Sequence, residues 1–68
     1  MFVTIRRNEF RVHDSTGGNI MFVKSMPEEV LDAQLSGDTI TVTMPKRVHV
    51  YKRIGNTHAF SFFRDFPR

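Results

Sequence analysis

The residue types of a hydrolase triad stand side by side in His13-Asp14-Ser15. A triad needs nucleophile, base and orienting carboxylate to converge from separate elements. Neighbours on a strand point to opposite faces, so adjacency reads as a turn-initiating Asp-Ser pair instead. His13, His49 and His58 could offer three imidazoles to a metal, but no two have the tight spacing of a ligand pair. Each also lies near basic residues that repel a cation. Glu28, Glu29 and Asp32 are too few for a calcium loop and fall in a segment that reads as helix. Gly17-Gly18 lacks the Lys-Ser/Thr that completes a phosphate loop. The expectation is a non-enzyme, with no catalytic residue, no metal site and no cofactor.

Binding chemistry is better represented. Along residues 47–54, Arg47, His49, Tyr51 and Arg53 share one strand face, alternating basic and aromatic. On residues 9–14, Glu9, Arg11 and His13 turn away from Phe10 and Val12. Basic groups beside an aromatic ring can hold phosphates while the ring stacks a base. Arg11, Arg47, His49, Tyr51 and Arg53 are therefore the candidate polyanion-binding set, with nucleic acid or an acidic protein surface as partner. A second candidate surface lies at the C-terminal end, where Phe60, Phe62, Phe63 and Phe66 are four of the seven phenylalanines. An aromatic surplus of this kind marks a contact between chains, and a homo-oligomer is expected. The alternative function is then a structural or inhibitory protein that acts by self-association or by protein contacts through this hairpin.

The elements that must position these residues are mostly strands. Residues 2–6, 9–14, 19–24, 38–44, 47–54 and 57–63 have the apolar content or the period-two alternation of strands. In 38–44, Ile40, Val42 and Met44 oppose Thr39, Thr41 and Thr43. Turns fall at residues 15–19, at Pro45-Lys46 and at Gly55-Asn56, the last suiting a two-residue type II′ hairpin. That hairpin would put Tyr51, Phe60 and Phe62 on one face. A turn longer by one residue would move the phenylalanines to the other. One helix is predicted over about residues 26–35. Ser25 and Glu28 fit a capping box, Met26, Val30, Leu31 and Leu35 share a face, and Gly37 marks its end. Residues 64–68 read as a basic aromatic tail. A weak repeat at an offset of 38 pairs Phe2 with Ile40, Phe10 with Val48 and Phe22 with Phe60.

The predicted fold class is therefore α+β: an antiparallel sheet or partly closed barrel of five to six strands with one short helix. A chain of 68 residues makes a single small domain. Ordering it costs roughly 100 kcal/mol at about 1.5 kcal/mol per residue, so its core must be nearly complete. No cysteine is present, which excludes disulfide and thiolate–zinc staples. No apolar run reaches the length of a signal peptide or a membrane span. A cytoplasmic protein with no membrane partner is expected, including one made by a phage or virus in its host. The net charge of +3 is unevenly spread. Residues 25–45 hold four carboxylates and no Lys or Arg, or −4, while the rest sets ten basic residues against three acidic ones, or +7.

Overall fold

The computed structural model describes all 68 residues. It is all-β, with seven strands: β1 (Phe2–Arg6), β2 (Glu9–His13), β3 (Ile20–Ser25), β4 (Asp32–Ser36), β5 (Thr39–Thr43), β6 (Arg47–Arg53) and β7 (Phe60–Pro67). They form two antiparallel sheets, β1-β2-β3 and β4-β5-β6-β7. No strand returns to close a barrel. The sheets face each other across a core of Phe10, Val12, Met26, Val30, Ile40, Val42, Met44, Tyr51 and Phe60. The Phe10 and Tyr51 rings meet across the layers at 5.2 Å, and Phe22 reaches Phe60 at 6.3 Å. Edge strands β1 and β4 lie alongside one another.

The predicted helix does not form, and the α+β class is corrected to all-β. Ser25 ends β3, and residues 26–31 run without regular structure into β4. Their amides bond outward rather than to the carbonyl four residues back: Met26 N to Asn8 O, Val30 N to Arg7 O and Leu31 N to Thr43 O. Met26 and Val30 are buried as expected, but as plugs between the sheets. Ala33 and Leu35 then sit two apart and pair with Val42 and Ile40. Short apolar spacings suit either period, and a partner strand as apolar as β5 decides between them. Gly37 ends no helix. With φ +59° it opens the two-residue β4–β5 turn, Gly37-Asp38.

The internal likeness is better described by an offset of 30 than of 38. Hairpins β1–β2 and β4–β5 correspond in burial: Phe10 and Ile40 are both fully buried, as are Val12 and Val42. Both turn positions, Arg7 and Gly37, have positive φ. Asn8 O accepts from Met26 N where Asp38 O accepts from Arg53 N. Arg7, at φ 55°, is the only non-glycine residue with positive φ. Left-handed backbone costs an L-residue about 1–2 kcal/mol, partly offset by the larger entropy that glycine loses on folding. Arg7→Gly is thus expected to stabilise the fold by about 0.5–1 kcal/mol, raising Tm by several degrees in a thermal melt.

The turn at residues 14–19 takes up His13-Asp14-Ser15. The Asp14 carboxylate accepts from Gly17 N at 2.8 Å and Asn19 Nδ2 at 3.3 Å. These bonds, the Gly17 N–H foremost, hold its carboxyl below the usual aspartate value. His13 is fixed by Thr4 Oγ1 at 2.7 Å and Gly18 O at 2.9 Å, with Phe2 stacked on its ring. This is turn architecture.

Candidate interaction surface

Strand β6 carries different chemistry on its two faces. Pro45-Lys46 connects β5 to β6 tightly, with Met44 N bonded to Arg47 O. That turn sets Ile40 opposite Tyr51 and Val42 opposite His49. Directly opposed residues share a face, so Tyr51 and His49 lie on the inner side with the core. Tyr51 is 2% exposed. Its hydroxyl lies 3.5 Å from Met26 Sδ and 3.4 Å from His49 Nδ1, and burial raises its pKa above the ordinary value of 10.0. The face bearing His49, Tyr51 and Arg53, expected as a binding surface, is therefore the face that closes the core.

The arginines of the expected polyanion set are each paired within the chain. Arg11 bonds Glu9 through Nε at 2.8 Å and Nη2 at 2.6 Å. Arg53 Nη2 meets Asp38 Oδ1 at 2.8 Å. Arg47 Nε lies 3.0 Å from Glu28 Oε2 without hydrogen-bond alignment, an electrostatic contact only. The acidic segment 25–45 thus supplies the counter-charges for the basic strand that follows it. Arg11, Arg47, His49, Tyr51 and Arg53 do not converge on one open surface.

The last hairpin takes neither of the two registers weighed from its turn. Its connection runs from residue 54 to 59, closed by Ile54 N to Ala59 O, so Gly55-Asn56 is not a two-residue turn. Arg53 pairs with Phe60 and Tyr51 with Phe62. The extra residues come as an even number, so Tyr51, Phe60 and Phe62 do share a face. Phe60 is a core residue, 4% exposed, and is not available to a partner. Phe62 sits at the open rim, 53% exposed, edge-on to His49 at 5.2 Å and Tyr51 at 5.8 Å. The expected tail is largely strand: β7 runs on to Pro67 opposite Arg47.

A β-bulge interrupts this pairing. Tyr51 opposes Phe62 and Val50 opposes Arg64, leaving Phe63 without a partner on β6. An extra residue shifts the alternation of everything beyond it. Arg64 and Phe66, which regular alternation would turn inward with Phe62, come instead to the outer face opposite Val50 and Val48. Phe63 joins them there: Lys52 Nζ lies 4.5 Å from its ring centroid and the Arg64 guanidinium 5.1 Å from it. Arg64 also reaches the Phe66 ring at 5.6 Å. Phe63 and Phe66 are close to half exposed. Neither Lys52 nor Arg64 enters any of the three ion pairs. Lys52, Arg64 and the role of the bulge were not reached from the sequence, since a bulge is invisible to period-two reading.

Outside this face there is little that could hold a ligand. No cluster of three His or acidic side chains is arranged for a metal ion. The one concavity, lined by Lys46, Arg47, Asp65, Phe66 and Pro67, is shallow and sits at the end of the same hairpin. No helix is long and apolar enough to cross a membrane. Comparison with protein-family models, curated proteins and solved structures finds no match.

Proposed function

We propose that this chain is a non-enzymatic binding module that engages a polyanion through the outer face of the β6–β7 hairpin. The observation that carries this reading is the bulge that gathers Lys52, Phe63, Arg64 and Phe66 on one exposed face. Its two cations enter none of the ion pairs that hold Arg11, Arg47 and Arg53, and, unlike the other unpaired basic residues, they stand against exposed aromatic rings. Cation–π contacts are worth about 0.5–1 kcal/mol at exposed sites, enough to hold the side chains ready without burying their charge. A cytoplasmic setting, where a chain without cysteine loses nothing to reducing conditions, belongs to the same proposal.

The test uses inorganic polyphosphate as probe. Two cations each displacing a counterion give a log–log salt slope near −1.4, so affinity should fall about sevenfold between 50 and 200 mM salt. The double substitution Lys52→Ala/Arg64→Ala should weaken binding and flatten that slope. Unchanged binding by the double variant would defeat the reading.

A second reading, self-association, is favoured by the free edge of β7. That strand pairs only with β6, runs eight residues and carries Phe62 at its rim. Three phenylalanines near half exposure offer about 300 Å² of aromatic area per chain, at about 200 Å² each. A standard interface buries about 800 Å² per partner, so such contact would be weak and concentration-dependent. The bulge, Arg64 and Pro67 also blunt the edge. Light scattering at two concentrations decides: this second reading requires mass to rise with concentration for the parent chain and to stay at 7.9 kDa for Phe62→Lys.

A further inference from the structure

The four side chains of this face are ordered as well as gathered. Lys52, Phe63, Arg64 and Phe66 follow one another as cation, ring, cation, ring, linked at 4.5, 5.1 and 5.6 Å. A polyphosphate or a sulfated sugar uses the cations and has no use for the rings. A nucleic-acid duplex presents its phosphates while its bases stay stacked inside. A single strand alternates the two chemistries, with a flat base and a phosphate in every repeat. Stacking on aromatic side chains beside basic groups is how such strands are held without sequence preference.

We infer that the polyanion is single-stranded nucleic acid: Lys52 and Arg64 swing from over the rings onto its phosphates, which opens Phe63 to one stacked base and Phe66 to a second, with Arg64 on the phosphate between them. This inference rests on the polyanion reading above and adds to it the role of the rings. From Val48, opposite Phe66, to Lys52 the strand rises about 14 Å at about 3.4 Å per residue, room for about two bases. The threonines of the neighbouring strand β5 (Thr39, Thr41 and Thr43) continue the same outer face opposite Lys52, Val50 and Val48. They add polar surface, and the carboxylate that continues this face is Asp32, one strand further on β4, opposite Thr43. The bulge is what makes the arrangement specific. Without it Phe63 would stand alone on this side, with Arg64 and Phe66 on different faces from where they are needed.

The experiment titrates the full chain with a fluorescent ten-residue oligothymidylate, with blunt duplex DNA of equal length and with inorganic polyphosphate, at 50 mM salt. Oligothymidylate is expected to bind at least tenfold more tightly than the duplex. Phe63→Ala should weaken the single strand about tenfold and leave polyphosphate affinity within twofold. Phe63→Leu keeps an apolar side chain and loses the flat ring, so it should resemble Phe63→Ala. Circular dichroism of both variants should match the parent, since Phe63 lies outside the core. Equal binding of all three polyanions, with Phe63→Ala unchanged, would overturn this inference and leave the polyanion reading standing. Absence of binding to all three would overturn both.

Discussion

Phe10→Ala is expected to remove most of the stability of this protein. The side chain is completely buried and touches rings from both sheets, Phe22 at 6.1 Å and Tyr51 at 5.2 Å. Truncating a buried phenylalanine costs about 3–5 kcal/mol through lost transfer energy and the cavity left behind. A domain of this size holds only about 3–10 kcal/mol in total, at about 0.05–0.15 kcal/mol per residue. Urea titration followed by circular dichroism should show the variant unfolded, or nearly so, without denaturant. Phe10→Leu keeps most of the volume and should remain folded. A loss below about 1 kcal/mol for Phe10→Ala would mean that the two sheets do not meet at this ring.

The second large effect concerns Tyr51, and it separates two pictures of β6. An outward tyrosine contributes little, and its truncation falls within about 0.5 kcal/mol of neutral. An inward one, 2% exposed and packed on Phe10 and Phe62, should cost about 3–5 kcal/mol when cut to Ala. Tyr51→Phe should cost no more than about 1 kcal/mol, because the hydroxyl's partners are a weak sulfur acceptor at 3.5 Å and a long contact to His49. The ratio of the two losses reports which way the strand faces. Comparable small losses would return Tyr51 to the surface.

These two residues also show where the sequence was readable. Phe10, Val12, Ile40, Val42 and Met44 stood out by alternation beside polar neighbours, and all are fully buried. Six strand segments are legible from apolar content or from the same alternation. Strand β4 is not, because Met26, Val30, Leu31 and Leu35 satisfy a helical stripe and Ser25 and Glu28 mimic its cap. The carbonyls of Arg7, Asn8 and Thr43, far along the chain, claim that segment's amides instead. No local signal announces such partners.

The orientation of β6 was recoverable. A two-residue turn at Pro45-Lys46 already implies Tyr51 opposite Ile40 and His49 opposite Val42. Carrying that register one step further would have placed Tyr51 inside. The charge split was visible too, but not its use. Glu28 and Asp38 answer Arg47 and Arg53 within one chain, which turns two apparent ligand contacts into internal pairs. The candidate face itself depends on a single inserted residue in β7. Nothing in Phe62-Phe63-Arg64 marks which of its members will bulge.

Residue-level NMR during titration with a polyanion shows which face of the protein the ligand occupies. Backbone and side-chain signals of Lys52, Phe63, Arg64 and Phe66 should move together and saturate together, while those of Arg11 and Arg53 stay in place. Shifts centred on Arg6 and Arg7 at the β1–β2 turn, or on Arg11, with the β7 face unmoved, would contradict it.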